Sequence, residues 1–242
     1  MPHVFPKGKG YKKLIVRYFM KKVLITGARG NIGKILSEKL SGYELTFANL
    51  PETDVRDYES LEKLARDQDV LIHLAWNAKT ENFQTTVSDP DNILMAKNSY
   101  EVALKAGIKR VIMASSAHAD DFRNFHGNGL LSPNRKPKPK TPYGRSKVKI
   151  EEMGREYSKK GLEVVCIRFG AVDTKGEGNP SGEGAILWLS QRDLLGLIKK
   201  LIDIEKIPNN FVIMYGVSNN GTRVHDYSNP FGWKPEDDSS KA

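Results

Sequence analysis

The segment Val23-Leu24-Ile25-Thr26-Gly27-Ala28-Arg29-Gly30-Asn31-Ile32-Gly33 constrains this chain more tightly than any other. Its first residues read as a short buried strand, and Ile32, Ile35, Leu36 and Leu40 then recur on one face at helical spacing. Between strand and helix lie the glycines. Gly27 permits a tight turn, Gly30 lets the backbone come close to a pyrophosphate, and Gly33 lets the helix lie near the sheet. The free N–H groups at the helix start then face the phosphates. Glycine spacing alone is a weak signal, but the flanking strand and amphipathic helix supply the context the motif requires. Gly27, Arg29, Gly30, Asn31, Ile32 and Gly33 are therefore the expected contacts of a bound dinucleotide.

The rest of the chain keeps winding in the same way. Leu45 to Ala48 reads as a second strand, Tyr58 to Arg66 as a helix, and Val70 to Leu74 as a continuous apolar run of the kind buried on both faces of a parallel sheet. Asn92 to Ala106 makes a long helix ending at Gly107, a good left-handed cap residue. Arg110 to Ala114 and Glu163 to Ile167 are further strands, separated by a long loop and a helix that opens near Tyr143. Repeated βα winding packs as a parallel sheet with helices on both sides, so the fold class is α/β, a Rossmann-like doubly wound sheet. Beyond about residue 171 the pattern weakens into a small C-terminal, substrate-binding part. Asp173 to Gly184 is rich in glycine and polar groups and is expected to form a mobile loop. Leu194 to Ile202 gives a helix, Phe211 to Tyr215 a last strand, and Asp237 onward a frayed end.

A second motif supplies chemistry. In Pro142-Tyr143-Gly144-Arg145-Ser146-Lys147, the phenol and the ammonium stand four residues apart on one helix face. A neighbouring ammonium favours the ionised phenol, and a bound nicotinamide ring adds to that effect. Tyr143 then exchanges a proton with a substrate oxygen while hydride moves between carbon and nicotinamide, and Lys147 also bonds the ribose hydroxyls. Ser115 and Ser116 follow a strand at the sheet edge where ligands collect in open α/β folds. Ser116 is assigned to polarise the substrate oxygen, with Ser115 as the alternate. Together the two motifs point to an oxidoreductase.

Composition limits the alternatives. At 242 residues, with 39% hydrophobic and 28% charged, the chain suits one soluble domain with appendages. The net charge of +9 invites a nucleic-acid reading, but Lys7, Lys9, Lys12, Lys13, Arg17, Lys21 and Lys22 carry most of it ahead of the first strand. Residues 1–21 are expected to be a solvated, disordered extension, with residues 22–242 forming the coenzyme-binding domain. Met20-Lys21-Lys22-Val23 reads as a natural beginning for such a fold. Neither nucleic acid nor membrane is expected as a partner, since Leu14-Ile15-Val16 is too short for a signal segment or a span. Cys166 lies in an apolar run and reads as a small core residue, which fits a reducing cytoplasm. The five histidines are scattered with no spacing that suggests a metal.

The coenzyme is NAD or NADP. The end of the second strand, where an acidic residue commonly binds the adenosine ribose, falls on Asn49. Asn49 does not repel a 2′-phosphate, and Arg29 is placed to pair with one, which leans the reading toward NADP.

With these residues the chain resembles the short-chain dehydrogenase/reductase superfamily, specifically its extended, NAD-dependent epimerase/dehydratase branch. The resemblance runs from Lys22 to Pro235. It adds Asp54 and Val55 as an adenine contact, His73-Leu74-Ala75 as the strand end lining the cofactor, Asn92 opening the long helix, and Arg168 after the sixth strand. It also implies a homodimer through the long helices. Within the branch, Ser115-Ser116-Ala117-His118, Trp188 to Asp193, Tyr215 to Asn219 and Gly232 to Pro235 look like uronate dehydrogenases and the related archaeal NAD-dependent glucose-6-phosphate dehydrogenases, which oxidise a sugar at C1 to a lactone. His118 would bond a sugar hydroxyl. The departures matter: the substrate contacts of uronate dehydrogenases fall here on Ala78, Ala117 and Ala171, and their carboxylate-binding arginine is replaced by Glu183, which would repel an acid. Lys79 and the run from Arg135 to Lys140 offer charge for a phosphorylated sugar.

The first reading is thus an NAD(P)-dependent dehydrogenase acting on a sugar or sugar-derived alcohol. The second is a nucleotide-sugar epimerase, dehydratase or reductase, although the short C-terminal part favours a small substrate. The third is a catalytically silent NAD(P)-sensing protein.

Overall fold

In the computed structural model, residues 20–242 are described apart from 128, 177, 179 and 180, so nearly all of the expected N-terminal extension lies outside the described residues. Lys21, at its end, is tied down: its ammonium donates to the carbonyl of Ile202 at 2.7 Å.

Among the described residues the main sheet has the order β2-β1-β3-β4-β5-β8, every neighbouring pair parallel. The strands are β1 (Lys22–Thr26), β2 (Glu44–Ala48), β3 (Val70–His73), β4 (Arg110–Ser116), β5 (Glu163–Phe169) and β8 (Phe211–Gly216). Strand order reverses beside β1, so the connections leaving the carboxyl ends of the paired strands β1 and β3 turn to opposite faces of the sheet and leave a crevice, where ligands of doubly wound sheets sit. β3, β4 and β5 are buried throughout almost their whole length, as expected for strands covered on both faces.

The helices are α1 (Asn31–Lys39), α2 (Tyr58–Ala65), α3 (Pro90–Ala106), α4 (Pro142–Ser158), α5 (Glu183–Leu187) and α6 (Gln191–Asp203). One buried cluster joins Ile35 and Leu36 of α1 with Leu194, Leu197, Ile198 and Leu201 of α6. A second, on the opposite face, joins Leu61 of α2, Tyr100 of α3 and Ile150 of α4. Both faces are therefore covered, with the sheet as the shared wall.

Local chemistry sets the ends of the helices that carry the site. α3 starts where the Asp89 carboxylate accepts from the Asp91 N–H at 3.0 Å, with Pro90 in the first turn, and stops at Gly107, whose φ of 74° is left-handed. α4 starts where the Thr141 hydroxyl accepts from the Gly144 N–H at 3.0 Å. Gly144 also lets this helix close on the turn before it, since a Cβ there would lie 2.2 Å from the His118 carbonyl oxygen. Tyr143 is thereby held against the end of β4.

The C-terminal part is more structured than periodicity suggests. Ala171–Val172 (β6) and Trp188–Leu189 (β7) pair in parallel, and α5 starts at Glu183, inside the stretch expected to be loop. These pieces are too short to carry a period. The end from Asp237 is docked rather than frayed: the Ser190 hydroxyl donates to Asp237 at 2.5 Å, and the Ser239 N–H donates to Asn220 at 3.1 Å. Asp193 accepts from the Ser218 hydroxyl and from the N–H groups of Glu236 and Asp237, which draws the chain end over α6.

Candidate active site

The glycine turn is built by steric necessity. A Cβ on Gly27 would lie 2.6 Å from the Ala75 nitrogen, so the turn fits beside the end of β3 only without a side chain. A Cβ on Gly33 would lie 2.4 Å from the Ala28 Cα, so α1 could not approach β1. Gly30 caps α1 with no side-chain hydrogen bond, leaving the first-turn N–H groups open on the cleft side. Asn31 is exposed at the helix start, whereas Ile32 turns inward against the core. From below, Thr26 pins the crossing: its hydroxyl accepts from the Leu74 and Ala75 N–H groups, both at 3.3 Å, and meets His73 Nδ1 at 3.0 Å. Leu74 itself faces the core.

A cleft of about 500 Å³ runs along this crossing from Asn49, Asp54 and Val55 past Gly27 and Gly30 to Ala75 and Trp76. Length, glycine lining and open N–H groups fit an extended dinucleotide, with the adenosine end at Asn49 and the nicotinamide end at Trp76. Asp54 is held by Arg56, whose Nε is 3.0 Å from both carboxylate oxygens; this keeps its pKa below the usual range. Arg29 does not stand free for a 2′-phosphate as the sequence reading expects. Its guanidinium donates to the Leu50 carbonyl and pairs with Glu52 at 2.8 Å, while its backbone N–H donates to the Asn49 side chain at 3.2 Å. Glu52 and Arg29 thus neutralise each other on this rim of the cleft.

At the other end of the cleft the two chemical residues meet. The Lys147 ammonium donates to the Ala114 carbonyl at 2.9 Å and lies 3.5 Å from the centre of the Trp76 ring. Trp76 in turn stands edge-on to Tyr143, with ring centres 5.7 Å apart. Burial dominates the electrostatics of both groups. It pushes Tyr143 above its usual value, with Ser116 pulling the other way through a hydrogen bond and the Glu81 charge raising it further. It pulls Lys147 down to about 7, against the raising influence of Glu81 and Glu151. Desolvation therefore outweighs the lowering expected at the phenol.

The two serines go to different places, as alternation along a strand demands. Ser116 meets Tyr143 and caps the following turn by accepting from the His118 N–H at 3.2 Å. Ser115 donates to Glu151 at 2.6 Å, and Glu151 is clamped by Arg168 through two bonds of 2.8 Å. Ser115 is committed to this buried network, not to the cleft. The same network explains Arg168: it fastens β5 to α4 one turn beyond Lys147.

Asn92 is likewise occupied. Its side chain accepts from the Asn77 N–H at 2.6 Å and donates to Glu81 at 3.0 Å, so it shapes the loop after β3 instead of reaching the cofactor cleft. Glu81 is completely buried, and its Oε1 has no hydrogen-bond partner among the described residues. Its carbonyl accepts from the Trp76 indole at 2.9 Å.

Around the mouth, His118 stacks on Phe83 with ring centres 4.8 Å apart, and its ring lies 6.1 Å from that of Tyr143. Burial lowers its pKa to about 4, so it is neutral near pH 7 and able to donate to or accept from a hydroxyl. Ala78 is exposed on the loop after β3. Ala171 lines a shallow pocket of about 230 Å³ with Gly184 and Trp188, whereas Ala117 is buried in a cluster with Phe122 and Tyr215. The basic run is neutralised in part: Arg135 lies 3.5 Å from Asp120, and Lys140 lies 3.3 Å from Asp121. Glu183 does not present a bare charge either, being paired with Arg123.

Trp76, Glu81, Glu52 and Arg123 were not singled out from the sequence. Trp76 had a usable signal, an aromatic directly after the strand end that lines the cleft. The others owe their position to loop geometry and had none.

Comparison with known proteins agrees with this architecture. The model of the NAD dependent epimerase/dehydratase family matches residues 23–205. Uronate dehydrogenase of Pseudomonas syringae pv. tomato is 28% identical over 236 residues, covering 90% of this chain and 82% of that protein. L-arabinose 1-dehydrogenase (NAD(P)(+)) of Haloferax volcanii is 27% identical over 255 residues, covering 91% and 98%. The crystal structure of uronate dehydrogenase from Agrobacterium tumefaciens superposes with a TM-score of 0.79 at 27% identity, covering 92% of this chain and 86% of that one.

Proposed function

From the premise that this chain belongs to the NAD dependent epimerase/dehydratase family, we propose that it is a sugar dehydrogenase of the extended short-chain type, oxidising a CH–OH carbon of a small sugar with NAD(P). The observation that carries this reading is the placement of Tyr143 and Lys147 around Trp76 at the end of the glycine-lined cleft. Bound nicotinamide supplies the hydride acceptor. Tyr143 takes the proton from the substrate hydroxyl as hydride leaves the carbon that bears it, and Ser116, whose hydroxyl acts on the phenol, holds that oxygen in line. Lys147, anchored on the Ala114 carbonyl, has further donors for ribose hydroxyls and supplies the positive charge that favours phenolate. His118, neutral and 6.1 Å from the Tyr143 ring, orients a second sugar hydroxyl.

The catalytic set is Tyr143, Lys147 and Ser116. Gly27, Gly30, Asn31, Asn49, Asp54, Val55 and Ala75 form the coenzyme contacts, while Asn92 acts through the loop it braces. Because Glu52 already holds Arg29, the reading favours NAD over NADP. The enzyme works as a homodimer through α3, which carries the exposed Leu94 and Leu104, and α4, and it resides in the cytoplasm, where the buried Cys166 thiol is kept reduced.

Free neutral sugars, uronates, sugar phosphates and nucleotide sugars, each supplied with NAD or NADP, form the test. Stoichiometric reduction of coenzyme by a free sugar supports a dehydrogenase. Isomerised product without net reduction would replace it with an epimerase, and coenzyme binding without turnover would leave only a sensor.

A further inference from the structure

The mouth of the site contains an ion pair that the proposed chemistry does not use. Arg123 and Glu183 meet as a fork: the guanidinium Nε donates to one carboxylate oxygen at 2.6 Å and Nη2 donates to the other at 2.7 Å. The pair joins two segments 60 residues apart in sequence. On one side Arg123 packs over Phe122, with 5.1 Å from guanidinium to ring centre, and Phe122 meets the edge of His118, the neighbour of Tyr143. On the other side Glu183 adjoins Gly184, which lines the shallow pocket with Ala171. The charges of both Arg123 and Glu183 are felt at His118. Going round the mouth from Tyr143, one therefore meets a neutral imidazole, an aromatic ring, a guanidinium and the carboxylate already seated on it.

Two parallel N–H···O bonds to a planar carboxylate are how an arginine recognises an organic acid. Here the acid belongs to the chain. We propose that Glu183 occupies on Arg123 the place that a substrate carboxylate would take, so that the enzyme accepts neutral aldoses and excludes their uronic acids. The proposal rests on the sugar-dehydrogenase reading and names its substrate class. The exclusion has two parts. An incoming acid must displace a carboxylate held at high effective concentration by its own backbone, and once displaced, Glu183 repels the newcomer across a short gap. A neutral sugar meets neither obstacle, and its hydroxyls find acceptors in Glu183 and donors in Arg123. Both side chains remain partly open to water, at 45% and 41% exposure, so the fork is breakable and its removal need not disturb the core.

D-Galactose and D-galacturonate differ only at C6 and provide the probe pair. Wild type, Glu183→Ala, Glu183→Gln and the double variant Arg123→Ala/Glu183→Ala are compared by the ratio of kcat/KM for galacturonate to that for galactose. The expected result is a ratio below one in wild type, raised at least about tenfold by either single substitution and lost again in the double variant, since a freed guanidinium is what the acid requires. A wild-type preference for galacturonate, or a ratio unmoved by both single substitutions, overturns the proposal. If no form oxidises any sugar, the dehydrogenase reading fails, and calorimetric titration with galacturonate still decides this one. Tighter binding to Glu183→Ala than to wild type upholds the seat on Arg123, and equal binding refutes it. Glu183→Gln keeps the shape of the side chain, so a folding defect confined to the alanine variant does not blur the outcome.

Discussion

The two ends of the site are built on different principles. At the coenzyme end, backbone does the work: Gly27, Gly30 and Gly33 bring β1, α1 and the end of β3 so close that two of the three positions have no room for a methyl group. At the substrate end, side chains from four separate segments are held by ring contacts and ion pairs, among them Phe83 on His118, Arg123 on Glu183 and Arg135 on Asp120. Close backbone packing cannot be altered one residue at a time without cost, whereas an exposed pair such as Arg123 and Glu183 exchanges cheaply. The difference teaches that the coenzyme should be a fixed property of the fold and the substrate an adjustable one. It also tells where each kind of mutation ought to act.

The largest effect is expected where the two ends meet. Tyr143→Phe removes the hydroxyl proposed as the proton acceptor and keeps the ring that meets Trp76 and His118, so kcat/KM for the preferred sugar should fall by about a thousandfold or more while coenzyme binding, followed by NADH fluorescence, stays near wild type. If binding and turnover fell together, the phenol would be a wall of the cleft rather than its acid/base, and the division between ends would be misdrawn.

Gly33→Ala probes the backbone-built end alone. The new methyl would lie 2.4 Å from the Ala28 Cα and the Gly27 oxygen, and neither is a flexible side chain that could yield. Overpacking of this kind costs about 1–3 kcal/mol. The midpoint of thermal unfolding should drop by several degrees, on the order of 2–4 °C per kcal/mol for a chain of this size. Coenzyme affinity should fall with it, and unchanged affinity would show that α1 can shift without opening the phosphate site. No comparable loss is expected for alanine at Arg123 or Glu183.

These contrasts also explain what was readable from the chain. The strand segments, the glycine turn and the Tyr143 helix are periodic or short-range features, so their positions follow from local spacing, and even the left-handed end of α3 at Gly107 is legible. Strand ends were less so: β4 continues through Ser116 and β5 through Phe169, because pairing with a neighbouring strand, not composition, decides where a ladder stops. What escaped are contacts across long sequence separation. Nothing local marks Ser115 for Glu151, Asn92 for Glu81, or Arg29 for Glu52, and for that reason two residues expected in the cleft are spent on bracing it and one is already paired. The docked chain end at Asp237 escaped for the same reason, its partners lying on α6 and after β8.

Lys147 makes a pH test of the junction. Its pKa falls from 10.5 in the unfolded chain to about 7 in the fold, chiefly through burial. Between those values the unfolded state binds the extra proton, so stability should rise as pH climbs from about 7 toward 10.5. Lys147→Met, which cannot titrate, should flatten that rise in chemical denaturation measured across the range. Glu81 and Glu151 act against the depression, so Glu81→Gln should lower the Lys147 pKa further and extend the rise to lower pH. A slope that survives in Lys147→Met would assign it to another group and leave the buried ammonium without a thermodynamic signature.

The smallest expected effect sits at the far edge of the coenzyme end, where the construction changes from backbone to side chain. Arg29, in the glycine turn after β1, and Glu52, on the loop that follows the edge strand β2, are an exposed pair, with exposures of 59% and 64%. If the adenosine rim behaves like the substrate mouth, coenzyme preference is adjustable although the phosphate site is not. Glu52→Gln frees Arg29 and removes a charge that a 2′-phosphate would meet, so NADPH should bind about threefold to tenfold more tightly while NADH changes by less than about twofold. Arg29→Ala added to that variant should return NADPH to its starting affinity, because the guanidinium is what the phosphate pairs with. Equal gains for both coenzymes would mean that Glu52 merely crowds the rim, and the boundary between the rigid and the adjustable parts of the molecule would then fall beyond Arg29 rather than at it.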